Sequence, residues 1–240
     1  MNLLGLVRES IKRQSPMFVK KRVWEFRAYR EFFHFAVQQR RSDLQIGDHP
    51  FLDEDSSAAF LPMLENCRRY LEYGSGGSTV LVARLNKPFV SIDTDRYFLN
   101  AVRRKIGKPA PHQHLVHGNI GWTKEWGEPA FQSPSARRRK KWKNYAETPW
   151  KYVEKELLPD LVMVDGRFRV AAALTSCVHL VNAPESRILV DDYDTRPNYH
   201  VIEEYAQLVG MAGRMAIFRP PSTCIPGIHE AIDRYSLDWR

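Results

Sequence analysis

Three aspartates close two apolar segments of this 240-residue chain. Leu161-Val162-Met163-Val164 runs into Asp165-Gly166, and Arg187-Ile188-Leu189-Val190 runs into Asp191-Asp192. Short aliphatic runs of this kind read as buried strands, and an open α/β sheet leaves its ligand crevice at the carboxyl ends of such strands. Hard oxygen ligands from neighbouring strand ends can hold Mg²⁺, so Asp165, Asp191 and Asp192 are candidate metal ligands. A metal there would lower the pKa of a substrate hydroxyl and orient it. The plainer alternative is that Asp191 or Asp192 caps a helix or pairs with Arg167, Arg169 or Arg196. Arg167 has two open roles, pairing with an aspartate or binding an anionic acceptor. Asp165, Arg167 and Asp192 are thus the candidate catalytic residues.

A second constellation lies upstream in Leu71-Glu72-Tyr73-Gly74-Ser75-Gly76-Gly77-Ser78-Thr79. An acidic residue running into a glycine-rich turn suits a nucleoside-containing cofactor, because glycine lets the backbone turn sharply and approach a ligand with no Cβ in the way. Ser78 and Thr79 begin a helix whose free N–H groups favour an anion. The third glycine of a dinucleotide fingerprint falls on Thr79, and no Gly-Lys-Ser/Thr follows, which disfavours NAD and ATP. Pro88-Phe89-Val90-Ser91-Ile92-Asp93 reads as the next strand. Its terminal Asp93 lies about 20 residues beyond the glycines, where a doubly wound fold sets a carboxylate on a ribose diol.

Glu72, the glycine turn and Asp93 together resemble the class I S-adenosylmethionine-dependent methyltransferases, in which an acidic-x-Gly-x-Gly motif ends strand one and an acidic residue ends strand two. His114-Leu115-Val116-His117-Gly118-Asn119 looks like strand three with its adenine-side loop, and the two aspartate-tipped runs look like strands four and five. The resemblance covers roughly residues 65–220. It implies a Rossmann-like, mostly parallel seven-stranded sheet with helices on both faces. It also implies cofactor contacts from Glu72, Gly74, Ser75, Gly76, Gly77, Ser78, Asp93, Asn119 and Asp165. Asn119 stands where many such enzymes carry an acid, and its amide can still exchange hydrogen bonds with adenine. The pairs Asp165-Gly166 and Asp191-Asp192-Tyr193 are similar to the metal-binding aspartates of macrocin-type sugar O-methyltransferases. Arg167 stands where that family commonly carries a second carboxylate as base. Trp126-Gly127-Glu128-Pro129 and Val164-Asp165-Gly166-Arg167-Phe168-Arg169-Val170-Ala171 resemble a bacterial group of methyltransferase-like proteins.

The elements that must position these residues fit one domain, residues 46–240, preceded by a basic helical extension over residues 1–45. Hydrophobic residues make up 43% of the chain, enough to bury one core of this size. Val19 to Phe35 repeats aromatic and apolar residues near a helical period with basic residues between, which suits packing on the domain or peripheral contact with an anionic membrane. Phe51 to Leu64 and Tyr199 to Val209 read as packing helices. Residues 121–158, long for a connection between strands, read as a lid or, more plainly, as a solvated basic loop anchored to the core by its tryptophans; they hold four of the six tryptophans.

Charge separates the same parts. Residues 1–41 carry a surplus of seven positive charges and residues 137–143 six, so a net charge of +8 leaves the remainder acidic by five. The basic run over Arg137 to Lys143 with its tryptophans suits an acidic or glycan-like acceptor, and single-stranded nucleic acid would use similar parts. No helix-turn-helix, zinc-finger or RNA-recognition signature accompanies it. Cys67, Cys177 and Cys224 are scattered and odd in number, so neither a disulfide framework nor a zinc site is suggested. His112 and His114 share a strand face that His117 opposes, so they form no three-histidine site. Ser75 lacks a Gly-x-Ser-x-Gly elbow. No segment is long and apolar enough to span a bilayer, and Met1 to Val7 lacks signal-peptide features, so a soluble cytoplasmic protein is expected. The residues point to an S-adenosylmethionine-dependent methyltransferase acting on oxygen of a small-molecule or glycan-like acceptor. Methylation of RNA or another polyanion, and a non-catalytic Rossmann-like binding module, remain alternatives.

Overall fold

Covered on both faces, the short apolar runs of the sequence become the strands of one sheet. A computed structural model describes residues 44–131 and 135–240, together with Tyr29, Arg30, Phe32, Phe33, Phe35 and Val37. The chain alternates helix and strand: α1 (Glu54–Asn66), β1 (Tyr70–Tyr73), α2 (Gly77–Arg84), β2 (Phe89–Asp93), α3 (Arg96–Ile106) and β3 (Gln113–His117). Then come α4 (Ala136–Tyr145), β4 (Leu161–Val164), α5 (Arg169–His179), β5 (Arg187–Val190), β6 (Gln207–Ala212), β7 (Met215–Arg219) and α6 (Ile228–Tyr235). Strand order is β3-β2-β1-β4-β5-β7-β6, with β7 antiparallel to both of its neighbours, β5 and β6. Parallel strands covered on both sides are near-continuous apolar runs, and β1 and β4 are buried throughout, with Glu72 the one charged residue in them. The expected seven-stranded, mostly parallel Rossmann-like sheet is what the chain forms.

Strand parity sorts side chains between two layers. Leu71, Tyr73, Ile92 and Val164 pack with α5, α6 and two aromatics of α4, Trp142 and Tyr145. Tyr70, Phe89 and Met163 face the other way, onto Phe60 and Leu64 of α1 and Val82 of α2. Asp53 caps α1 through the Ser56 amide at 3.0 Å, and Asp95 caps α3 through Tyr97 and Phe98.

Two expectations about elements change. Residues 121–158 contain the ordinary crossover between β3 and β4: α4 lays Trp142 and Tyr145, both about 1% exposed, against the sheet. The basic residues of the run Arg137 to Lys143 occupy the outer side of that helix, where Lys143 pairs with Asp233 at 2.9 Å and Arg138 lies over the Phe131 ring. The reach toward the strand ends comes from the preceding loop near Trp126. Tyr199 to Val209 is likewise no single helix. A 3₁₀ segment, Pro197–Glu204, gives way to edge strand β6, whose residues alternate between exposed and half-buried, a period of two.

Of the basic helix expected over Val19 to Phe35, Tyr29, Arg30, Phe32, Phe33 and Phe35 are described, and they are helical. Phe32 stacks on Trp122 at 4.5 Å, and Tyr29 meets Phe131 edge-on at 4.8 Å. The rest of that helix, and the membrane contact proposed for it, lie outside the described residues. Among the described residues no helix is long and apolar enough to cross a membrane.

Candidate functional site

The glycine turn leaves β1 where it touches β4. Gly74 has φ +99°, and a Cβ there would stand 2.9 Å from the backbone of Asp165 and Gly166. Only glycine allows both that conformation and that approach. Gly77 is tight for another reason, since its missing Cβ would strike the His49 carbonyl. Around Gly76 the direction of a Cβ is open space, with nothing within 4 Å. The open side of the turn is therefore at Gly76.

Beneath the turn lies a buried polar cluster. Glu72 is fully buried and accepts hydrogen bonds from Tyr70 (2.9 Å), Ser78 (2.6 Å) and the Thr79 hydroxyl. Burial pushes its carboxyl above the usual range, opposed by the Ser78 and Thr79 hydroxyls. Glu72 shares a strand face with Tyr70, so it braces the start of α2 from below and does not face the crevice. The same holds for the Ser78 hydroxyl. Ser75 joins the cluster through Ser91 at 2.6 Å.

Asp93 is the acid that reaches the rim. Its carboxylate accepts from the Ser75 amide at 3.1 Å and the Asp95 amide at 2.7 Å. Burial raises its carboxyl to about 7. Each oxygen keeps a further acceptor site. Asn119 is exposed beyond β3; its side-chain oxygen accepts from Gly121 (3.1 Å) and Lys141 (2.9 Å). Between them passes the loop before α4, where Thr94 donates to the Gly127 carbonyl at 2.7 Å and Arg167 Nε donates to the Trp126 carbonyl at 3.0 Å. Trp126 itself is 76% exposed.

Asp165, Asp191 and Asp192 do converge, with one oxygen from each within 4.8 Å of the others. Three guanidinium groups already hold them. Arg214 grips Asp191 with two bonds, at 2.8 and 2.9 Å. Arg169, only 4% exposed, reaches Asp165 at 2.8 Å and Asp192 at 3.0 Å, while Arg196 takes Asp192 at 3.0 Å. Burial raises the Asp165 carboxyl, Arg169 pulls it down, and Asp191 and Asp192 push it up again. A divalent cation needs those oxygens and would sit among three fixed positive charges, so this donor set does not fit Mg²⁺. The pairing of Asp192 with Arg169 and Arg196 is the plainer alternative stated for it. Arg214 and Tyr145 are the residues of this region that the sequence reading passed over. Arg214 sits on the β6–β7 turn with no local signal; Tyr145 follows Trp142 by three residues, an inward helical spacing hidden inside a cationic run.

A mostly parallel sheet in this order, with a glycine turn after β1 and an acid after β2, defines a Rossmann-like methyltransferase fold. The solved structure of a methyltransferase-like protein from Silicibacter pomeroyi matches 80% of this chain and 100% of its own, at 32% identity and a TM-score of 0.67. The chain belongs to that family of methyltransferase-like proteins. A candidate O-methyltransferase from Klebsiella pneumoniae aligns with 90% of this chain and 96% of its own at 14% identity and a TM-score of 0.43, too distant to add to the assignment. No protein-family model and no curated protein matches the chain.

Proposed function

We propose that the protein is an S-adenosylmethionine-dependent methyltransferase that methylates oxygen on a small-molecule or glycan-like acceptor. The observation that carries this reading is the hydrogen bond between the Ser75 amide and Asp93, which ties the glycine turn to the acid of β2 beside the open side of Gly76. A nucleoside fits that arrangement: Asp93 accepts from the ribose diol, Gly76 admits the chain beyond it, and Asn119 borders the adenine. Membership of the methyltransferase-like family supports the same cofactor.

When bound, the cofactor supplies an electrophilic sulfonium methyl. Methyl transfer needs an in-line approach, so most of the catalytic effect comes from positioning. Asp165 borders the crevice at the end of β4, partly exposed, with its carboxyl raised above its ordinary value. A carboxylate shifted toward neutrality is suited to take the proton of an acceptor hydroxyl. Arg169 and Arg214 hold Asp165 and its two neighbours in place. The likeness of Asp165-Gly166 and Asp191-Asp192-Tyr193 to the sugar O-methyltransferases supports oxygen as the acceptor atom, with the arginines in the place of a metal.

Calorimetric titration with S-adenosylmethionine and S-adenosylhomocysteine tests the reading. Micromolar binding is expected, followed by turnover in a screen of hydroxyl acceptors. No binding of either would leave a Rossmann-like module with another ligand.

A further inference from the structure

Four arginines surround the strand ends, and three of them hold aspartates: Arg169, Arg196 and Arg214. Arg167 differs. Its Nε is fixed on the Trp126 carbonyl, and among the described residues no carboxylate lies within ion-pair distance of it. Asp93 and Glu128 act on it only through space, and Glu128 is already paired with Lys124 at 3.2 Å. Burial disfavours the Arg167 cation, and the like charge of Arg169 nearby adds to this. A half-buried, unpaired cation is costly unless an anion comes to it. Anchoring through Nε leaves the two terminal nitrogens, an edge that pairs with carboxylate or phosphate oxygens.

A second observation falls beside it. Tyr145 is 1% exposed, and its hydroxyl proton has no acceptor among the described residues. The backbone makes room for this phenol at two glycines. A Cβ on Gly118 would lie 2.6 Å from the ring, and one on Gly166 would lie 2.8 Å from the hydroxyl. The Arg167 backbone amide faces that oxygen as a donor, and the Arg167 and Asp93 charges are within electrostatic reach of it. Phenylalanine would fill the same space without a buried hydroxyl proton lacking an acceptor, so the hydroxyl points to a ligand acceptor.

We propose that Arg167, with the Tyr145 hydroxyl behind it, forms an anion-binding subsite of the crevice that takes a carboxylate or phosphate group of the bound ligand. The subsite rests on the methyltransferase reading for its two sources of anion, the amino-acid carboxylate of the cofactor and an acidic acceptor.

The test uses the full chain and its Arg167→Gln and Tyr145→Phe variants, each first shown to melt as the wild type does. S-adenosylhomocysteine, 5′-methylthioadenosine (the nucleoside without a carboxylate), inorganic phosphate and acetate are titrated in turn. A loss of about tenfold or more in S-adenosylhomocysteine affinity in Arg167→Gln, with methylthioadenosine unchanged, assigns the subsite to the cofactor carboxylate. Unchanged nucleoside binding, with phosphate or acetate binding to the saturated wild type and not to Arg167→Gln, assigns it to the acceptor. Equal binding of all four probes by wild type and Arg167→Gln overturns the proposal. Tyr145→Phe should weaken the same arm by a few-fold; no change there removes Tyr145 from the subsite. A wild type that binds neither nucleoside sinks the methyltransferase reading instead, and Arg167-dependent phosphate or acetate binding then decides the subsite by itself.

Discussion

The Ser75 amide donates to the Asp93 carboxylate at 3.1 Å, so the turn after β1 and the end of β2 are one rigid unit. The acid that would hold the ribose is thereby held by the backbone that would approach the rest of the cofactor. Its carboxyl, raised by burial to about 7 from 3.8, adds a pH dependence. A diol donates to the ionised form, so affinity for S-adenosylhomocysteine should rise about tenfold per pH unit below 7 and level off by about pH 8. For stability the sign is opposite. The folded state binds the proton more tightly than the unfolded chain, so the cost of burying Asp93 is absent below about pH 4 and grows as pH rises through 7. Asp93→Asn should therefore flatten the affinity profile, and its stability relative to wild type should improve from pH 5 to pH 8. Calorimetry and urea unfolding across that range check both; an unchanged affinity profile in Asp93→Asn would remove Asp93 from the site.

Two neighbouring glycines should behave differently. Gly76 adopts an extended backbone that any residue tolerates, and its Cβ would meet nothing within 4 Å. Gly76→Ala should fold with stability within about 0.5 kcal/mol of wild type and bind S-adenosylhomocysteine at least about tenfold more weakly, because the methyl enters the space of the ligand. Gly77→Ala meets the His49 backbone and should lose about 1–3 kcal/mol of stability. Thermal melts beside titrations separate the two, and a Gly76→Ala protein with wild-type affinity would show that the ligand does not pass there.

Glu72 lies with the fold and not with the ligand. Its carboxylate is the shared acceptor for Tyr70, Ser78 and Thr79. Glu72→Ala strands three buried hydroxyls and should cost about 2–3 kcal/mol, whereas Glu72→Gln, which keeps an acceptor, should cost less. Denaturant midpoints at pH 7 give the comparison; equal losses would mean that both carboxylate oxygens are needed as acceptors and that shape contributes little.

Much of this fold was legible because buried parallel strands are near-continuous apolar runs, and β1, β2, β4 and β5 each end in an acid or a glycine turn. The direction of Glu72 was readable too, since it sits two residues from Tyr70, but the glycine motif drew attention to chemistry before strand parity. Three features were not legible. The cationic composition of Ala136–Tyr145 hid the helical spacing of Trp142 and Tyr145, so a core-packing crossover helix read as a lid. Tyr199 to Val209 contains aromatic and aliphatic residues that suit a helix, and its tail joins the sheet as β6 because the partner β7 follows by a two-residue turn. Arg214 reaches Asp191 across 23 positions, a meeting made by sheet topology alone. Without Arg214 in view, three converging aspartates look like a metal site.

The aspartate cluster makes the last prediction. Arg169 is 4% exposed and holds Asp165 and Asp192 as well as the Asp191 carbonyl at 2.6 Å. Removing one partner of a fully buried pair costs about 3–5 kcal/mol. Partial exposure of the two carboxylates, with Arg196 and Arg214 still present, should reduce that to about 2 kcal/mol for Arg169→Met. Since guanidinium groups occupy the places a cation would need, millimolar Mg²⁺ should leave wild-type melting and S-adenosylhomocysteine affinity unchanged, and a chelator should not lower turnover. Removing a competing cation tests the same point from the other side. In Arg214→Met, Asp191 loses both of its bonds to that guanidinium, and Mg²⁺ should then raise the melting temperature. Mg²⁺ stabilisation of the wild type, lost in Asp191→Asn, would instead mean that a metal displaces the arginines when it binds.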